Sequence, residues 1–445
     1  MQTRFKFIIA FVLLSTILRA GDILPYPILQ KDLPNGLKVV TIPYDSPGLA
    51  SFYIVVRVGS REEVEKGKTG FAHFFEHMMF RGTEKYPKER YSEILKSTGA
   101  SANANTSLDR TVYHMTGDAS QLETMFELEA DRFQNLKYSV QDFKTEAGAV
   151  KGEYTKNNSS PYSQLNESTN NEAFSKHTYK HTTMGFFEDI VDMPNQYDYS
   201  LEFFNRFYRP EYCTIIVVGD VNQELVNKLS EKYFGNWKRG SFKPEITSEP
   251  EQKETRYTNV KVANFPPFLD LNYKAPAFSL ESNDYHALSI LSQILFSERS
   301  ALYKKLVVDE NKVRELSGGM MPTRDPYLFS ASASLVSEKD LAYVKSEIEK
   351  AIDKVQTTLV DPVILEETKQ RIRYSFAMSM DSPDAIANAV SMYVWVTGNP
   401  QSLNTSYQMF DKVSPEDIQR VAKKYLIKKG LTIATISPDD KPVLD

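Results

Sequence analysis

The segment His73-Phe74-Phe75-Glu76-His77 holds two imidazoles four residues apart, with a carboxylate directly before the second. On an α-helix, positions i, i+3 and i+4 share a face, so all three side chains converge. Two neutral imidazoles at this spacing supply half of a zinc site. The glutamate is placed to accept a proton from a water at the same site. The order H-x-x-E-H is the reverse of the commoner H-E-x-x-H. The chain has only six histidines, which makes a chance match of this kind rare. Zinc requires a further protein ligand, and the stretch over residues 145–153 offers Glu146 and Glu153. They lie seven residues apart, two helical turns, and so they too share a face.

The H-x-x-E-H motif, the later glutamate pair and their separation resemble the inverzincin peptidases of the pitrilysin or insulinase family, M16. That family includes insulin-degrading enzyme and the mitochondrial processing peptidase. The resemblance implies one Zn²⁺ per chain held by His73, His77 and Glu153. It implies Glu76 as the catalytic base and Glu146 as a second carboxylate that helps hold the site. Gly99-Ala100-Ser101-Ala102-Asn103-Ala104 is similar to the family's G-x-x-x-N-A strand. There Asn103 and Ala104 would pair with a peptide substrate by strand addition. The implied activity is that of a zinc metalloendopeptidase acting on peptides or unfolded protein segments inside a closed chamber.

One departure from the family pattern bears on partners. Its second half carries an arginine and a tyrosine seven residues apart, in a segment like L-R-x-x-x-x-L-x-Y. Here Val307 stands at the arginine position and Arg314 at the tyrosine position. This predicts a heterodimer in which the present chain carries zinc and a second M16-like subunit supplies the Arg/Tyr pair. A non-catalytic, peptide-binding or scaffold subunit of a larger complex is the alternative.

The other chemistry-bearing residues read more plainly. His177 and His181 are four apart, but no carboxylate has fitting spacing, so a structural role is expected. His114 falls on a strand. Met78-Met79-Phe80 reads as core packing behind the motif helix, and Cys213 as a buried small apolar residue in an aliphatic run. With one cysteine, no intrachain disulfide can form. A net charge of −5 and no basic cluster with interleaved aromatics argue against nucleic-acid binding.

The N-terminus carries Arg4 and Lys6, an apolar run over residues 7–18, and Ala20-Gly21. This is the form of a secretory signal over residues 1–20, too short to span a bilayer. It predicts a periplasmic or secreted protein.

At 445 residues, more than one core is expected. Residues 21–237 read as an N-terminal, zinc-binding domain. The Pro-, Ser- and charge-rich stretch 238–258 reads as a linker, and 259–445 as a C-terminal domain. Strands are expected over 52–60, 102–106, 111–115 and 213–219 in the first half, with the motif helix over 70–81 and another over 140–157. In the second half helices are expected over 284–296, 340–357, 362–380 and 415–425, with strands over 270–273, 328–335 and 432–437. Strands mixed with long helices argue α+β: two homologous domains, each an antiparallel-rich sheet with helices packed on one face. Resemblance to the family adds that the two form half of a clam-shell.

Overall fold

The computed structural model describes residues 22–440, so the predicted signal segment over residues 1–20 lies outside the described residues. Two open sheets organise the chain. The first contains β1 (Leu29–Asp32), β2 (Lys38–Pro43), β3 (Leu49–Val56), β4 (Ser101–Thr106), β5 (Thr111–Asp118) and β6 (Cys213–Gly219). The second contains β7 (Arg256–Lys261), β8 (Phe268–Ala275), β9 (Val313–Met320), β10 (Tyr327–Leu335) and β11 (Leu431–Ser437).

The first sheet runs β1-β2-β6-β3-β5-β4 and the second β7-β11-β8-β10-β9. Setting β1 aside, the two orders are the same in chain sequence. Each sheet also has one parallel pair, β2 with β6 and β7 with β11, among antiparallel neighbours. The fold is therefore a duplicated α+β unit, as expected.

Side-chain alternation decides how each sheet is covered. In β3, Phe52, Ile54 and Val56 join a core with helices Phe71–Met78, Leu122–Asn135, Val140–Asn157, Tyr197–Phe207 and Gln223–Phe234. Tyr53 and Val55 point the other way, into a second core. That second core is closed by helix Pro383–Thr397, which comes from the far end of the chain. Conversely, helix Pro161–Ala173 of the first half lies on β7 and β11 of the second sheet, where Leu165 meets Val260, Ala434 and Ile436. Each half keeps its own helices on one face and lends one helix to the other half.

A polar network joins the halves as well. The loop between β9 and β10 carries Arg324, whose Nη1 donates to Glu62 Oε1 at 2.8 Å and whose backbone N–H donates to Asp109 Oδ2 at 2.7 Å. The next residue, Asp325, accepts from Arg61 Nε at 2.5 Å and lies 3.0 Å from His177 Nε2.

Strand Cys213–Gly219 and helices Val140–Asn157, Asp284–Phe296 and Pro415–Tyr425 have the predicted bounds. Several elements differ. The motif helix ends at Met78 rather than residue 81. Its last turn tightens, with Phe80 and Arg81 N–H donating to the carbonyls of His77 and Met78. Helices Pro161–Ala173, Pro383–Thr397 and Ser402–Lys412 and strand β9 were not expected. Strand β7 begins at Arg256, inside the stretch expected as linker. No helix among the described residues is long and apolar enough to cross a membrane.

Candidate metal centre

The motif helix Phe71–Met78 starts at Gly70, where φ is +88°, in the left-handed region. Two of its free N-terminal N–H groups, those of Gly70 and Ala72, donate to the buried Glu63 carboxylate at 2.8 and 2.7 Å. Phe71, Phe74, Phe75 and Met78 enter the first core and fix the helix. His73 and His77 are left to face the helix Val140–Asn157, and Glu76 reaches towards β4.

That helix opens with a reciprocal cap between Ser139 and Asp142. It packs by Phe143, Ala147, Val150 and Tyr154. Its Glu146 and Glu153 meet the motif histidines.

Glu153 Oε2 lies 3.7 Å from His73 Nε2 and 3.2 Å from His77 Nε2. One ligand atom from each of the three residues falls within 4.8 Å of the others, and this is the only such group of His, Cys, Asp or Glu among the described residues. Zinc–ligand bonds of about 2.0–2.2 Å in tetrahedral geometry set ligand atoms roughly 3.3–3.5 Å apart. The donor set and its spacing therefore fit a zinc ion. His177 and His181 form no second group. His177 Nδ1 accepts the Tyr179 N–H at 3.0 Å, and His181 Nδ1 lies 3.0 Å from the Thr182 carbonyl.

Electrostatics separate the two histidines. Burial, and then the neighbouring His77, push His73 below the ordinary histidine pKa. The Glu146 hydrogen bond, 3.0 Å from His77 Nδ1, is the main cause that raises His77. Burial pushes Glu146 up, but the bonds to His77 and to Arg81 Nε outweigh it and hold the carboxylate below its usual range. Glu146 thus orients the His77 ring with Nε2 turned to Glu153, the outer support that metal-binding histidines generally have.

Glu76, His77, Glu146, Arg81, Lys88, Phe80 and Asn103 line a cavity of about 310 Å³. Thr106, at the end of β4, donates from Oγ1 to Glu76 Oε2 at 2.6 Å. Asn103 is exposed at this cavity, and its Oδ1 accepts the Ala104 N–H at 2.9 Å. The Ala104 side chain is in the first core at 7% exposure, so only its main chain can meet a ligand. β4 is the outer strand of its sheet, with one edge unpaired.

Thr106 and Arg81 were not anticipated. Arg81 lies four residues after His77, a helical spacing that could have revealed it. Thr106 reaches Glu76 across thirty positions, and no local pattern announces that contact. Val307 packs against the core between the second sheet and its own helices, and Arg314 is exposed on β9.

Fold and site together define a duplicated α+β protein with a three-donor centre and an adjacent carboxylate in its first half. The family model described as Insulinase (Peptidase family M16) matches residues 39–185, and the one described as Peptidase M16 inactive domain matches residues 196–372. The chain belongs to peptidase family M16.

The zinc protease PqqE of Helicobacter pylori is 28% identical over 413 residues, covering 91% of this chain and 92% of that protein. The probable mitochondrial-processing peptidase subunit beta of Schizosaccharomyces pombe is 23% identical, over 91% of this chain and 90% of that one. The crystal structure of a protease from Helicobacter pylori superposes with a TM-score of 0.86 at 28% identity, over 92% of this chain and 99% of that one. The model described as inactive takes in residues 259–372 of the second half, and among the described residues no metal-type group of donors lies in that half.

Proposed function

We propose that the chain is a zinc metalloendopeptidase that hydrolyses peptides or unfolded protein segments. The convergence of His73, His77 and Glu153 beside Glu76 carries this reading. The relatives named zinc protease support it.

His73, His77 and Glu153 would hold the ion, with Glu146 fixing the His77 ring. When bound, zinc supplies Lewis-acid polarisation of the peptide carbonyl and of water. Glu76, held by Thr106, takes a proton from the attacking water and passes it to the leaving amine. A peptide strand laid along the free edge of β4 would bring its backbone past Glu76, with Asn103 beside it.

The test is hydrolysis of a quenched, unfolded peptide by the purified chain, alone and with a chelator. Chelator-sensitive cutting supports the reading. A zinc-loaded chain that binds the peptide and never cuts it favours the binding or scaffold alternative.

Val307 at the expected arginine position supports a second M16-like subunit as partner, enclosing the chamber. Cutting that appears only on mixing with such a subunit is the expected result. Full activity of the pure chain as a homodimer would overturn it. The basic and apolar residues 1–20 support export, checked by the N-terminal sequence of the protein recovered from the periplasm or medium.

A further inference from the structure

The turn between β4 and β5 carries an arginine that the scheme above leaves unused. The Arg110 carbonyl accepts the Ser107 N–H at 2.8 Å and closes the turn. Its guanidinium lies 4.9 Å over the Trp395 ring, which belongs to helix Pro383–Thr397. The flat cation is therefore held in place by stacking. Its Nη1 donates to the Asn105 carbonyl at 2.8 Å and to the Asn105 side-chain oxygen. Its Nε is buried without a partner.

Among the described residues no carboxylate lies within ion-pair distance of Arg110. The carboxylate that acts on it is Glu76, while burial holds its pKa down at about 10. The other acid nearby, Asp384, is already engaged. It accepts from Tyr53 Oη at 2.8 Å and Thr116 Oγ1 at 3.2 Å, and lies 3.8 Å from His114 Nδ1. A half-buried guanidinium whose hydrogen bonds go only to an amide, and whose Nε is buried without an acceptor, has donors left to offer an anion.

Position supplies the rest. Ala104 and Thr106 point to the face of β4 that carries the motif helix. Asn105 and the Trp395-stacked Arg110 belong to the opposite face. Side chains of a peptide strand added along β4 would alternate between these two faces. A residue adjacent to one held at Glu76 would therefore project towards Arg110.

We propose that Arg110 is a specificity residue of this cleft, pairing with a glutamate or aspartate side chain within two residues of the cleaved bond. The location of that bond rests on the peptidase reading. The preference for an acidic peptide does not.

The test uses peptides in which a single glutamate is walked along a neutral, unfolded sequence, each with its glutamine counterpart. Binding is read by fluorescence anisotropy on zinc-loaded Glu76→Gln, at low and high salt, and cleavage on the wild type. At one register the glutamate peptide should bind roughly tenfold tighter than its glutamine twin. That ratio should fall towards one in high salt and with Arg110→Gln, persist in part with Arg110→Lys, and turn towards a lysine peptide with Arg110→Glu.

Equal binding of all pairs by the Arg110-containing protein overturns the proposal, as does a ratio that Arg110→Gln leaves intact. Should Arg110→Gln not fold, the salt dependence and Arg110→Lys decide. Preferential binding without cutting by the wild type sinks the peptidase reading and leaves the Arg110 assignment standing. Cutting of every pair at equal rate does the reverse.

Discussion

At the scale of single residues, Glu76 sits on the cavity with its Oε2 held by Thr106. Glu76→Gln keeps the size and the hydrogen-bonding shape of the side chain and removes its basicity. It should retain zinc and lose roughly 10²–10⁴ in kcat. Thr106→Val removes the donor alone. It should lower kcat more than it raises KM, because the carboxylate is freed to turn. Metal content by elemental analysis and steady-state rates measure both. Substantial turnover by Glu76→Gln would dismiss it as the base.

Elements bring these residues together, and two of them make separate predictions. The motif helix begins on Gly70 at φ +88°, and a Cβ there would lie 2.4 Å from Ile190 Cδ1. Gly70→Ala combines left-handed strain with a core clash. It should cost about 2–4 kcal/mol and lower Tm. An unchanged melting curve would mean the helix entry relaxes freely.

In the second half, His286 on helix Asp284–Phe296 is fully buried. Its Nε2 is 2.9 Å from Ser406 Oγ, and its Nδ1 has no partner. Burial lowers its pKa from 6.5 to about 4. The unfolded chain then binds the proton more readily. This contribution to stability is complete above pH 6.5 and is lost as pH falls towards 4. The full difference corresponds to about 3 kcal/mol as an upper figure. Thermal melts from pH 7 to 4.5 should show a steeper decline for the wild type than for His286→Gln. Parallel slopes would remove His286 from the account.

At the scale of the molecule, the halves are tied by exchanged helices and by Arg324. Arg324 Nη1 meets a Glu62 side chain of 1% exposure, and its N–H meets the nearly buried Asp109. Arg324→Ala leaves the buried Glu62 with Arg61 as its one remaining cation. It should lower the unfolding free energy by roughly 3 kcal/mol. Urea titration checks this, and a variant within 0.5 kcal/mol of the wild type would show that Arg61 alone neutralises Glu62.

The exchange also bears on the site. Trp395 comes from the second half and stacks on Arg110 beside the first-half centre. The half without the metal-type group thus still shapes the cleft.

The centre was largely legible in the sequence because its pattern is local. His73, Glu76 and His77 share one helical turn, Glu146 and Glu153 share one face of another helix, and periodicity alone places each set. Helix Val140–Asn157 with its one apolar face, the apolar helix Asp284–Phe296 and the aliphatic strand Cys213–Gly219 are visible because their patterns too are local. Helix Pro161–Ala173 is polar and rich in Asn and Ser, with few buried apolar residues of its own, and gains its order by docking on the other half's sheet. Strand β9 carries Gly318, where a Cβ would lie 2.3 Å from the Phe296 ring, so its place depends on a neighbour and not on strand propensity.

The sequence by itself determined which residues offer metal-type donors and which carboxylate neighbours them, since neighbours three, four and seven positions apart are fixed by helix geometry. Only the tertiary structure decided that Glu153 meets both imidazoles, that Thr106 holds Glu76, and that Trp395 lies under Arg110. Those contacts join segments far apart in the chain, and their geometry is set by how the sheets and exchanged helices pack.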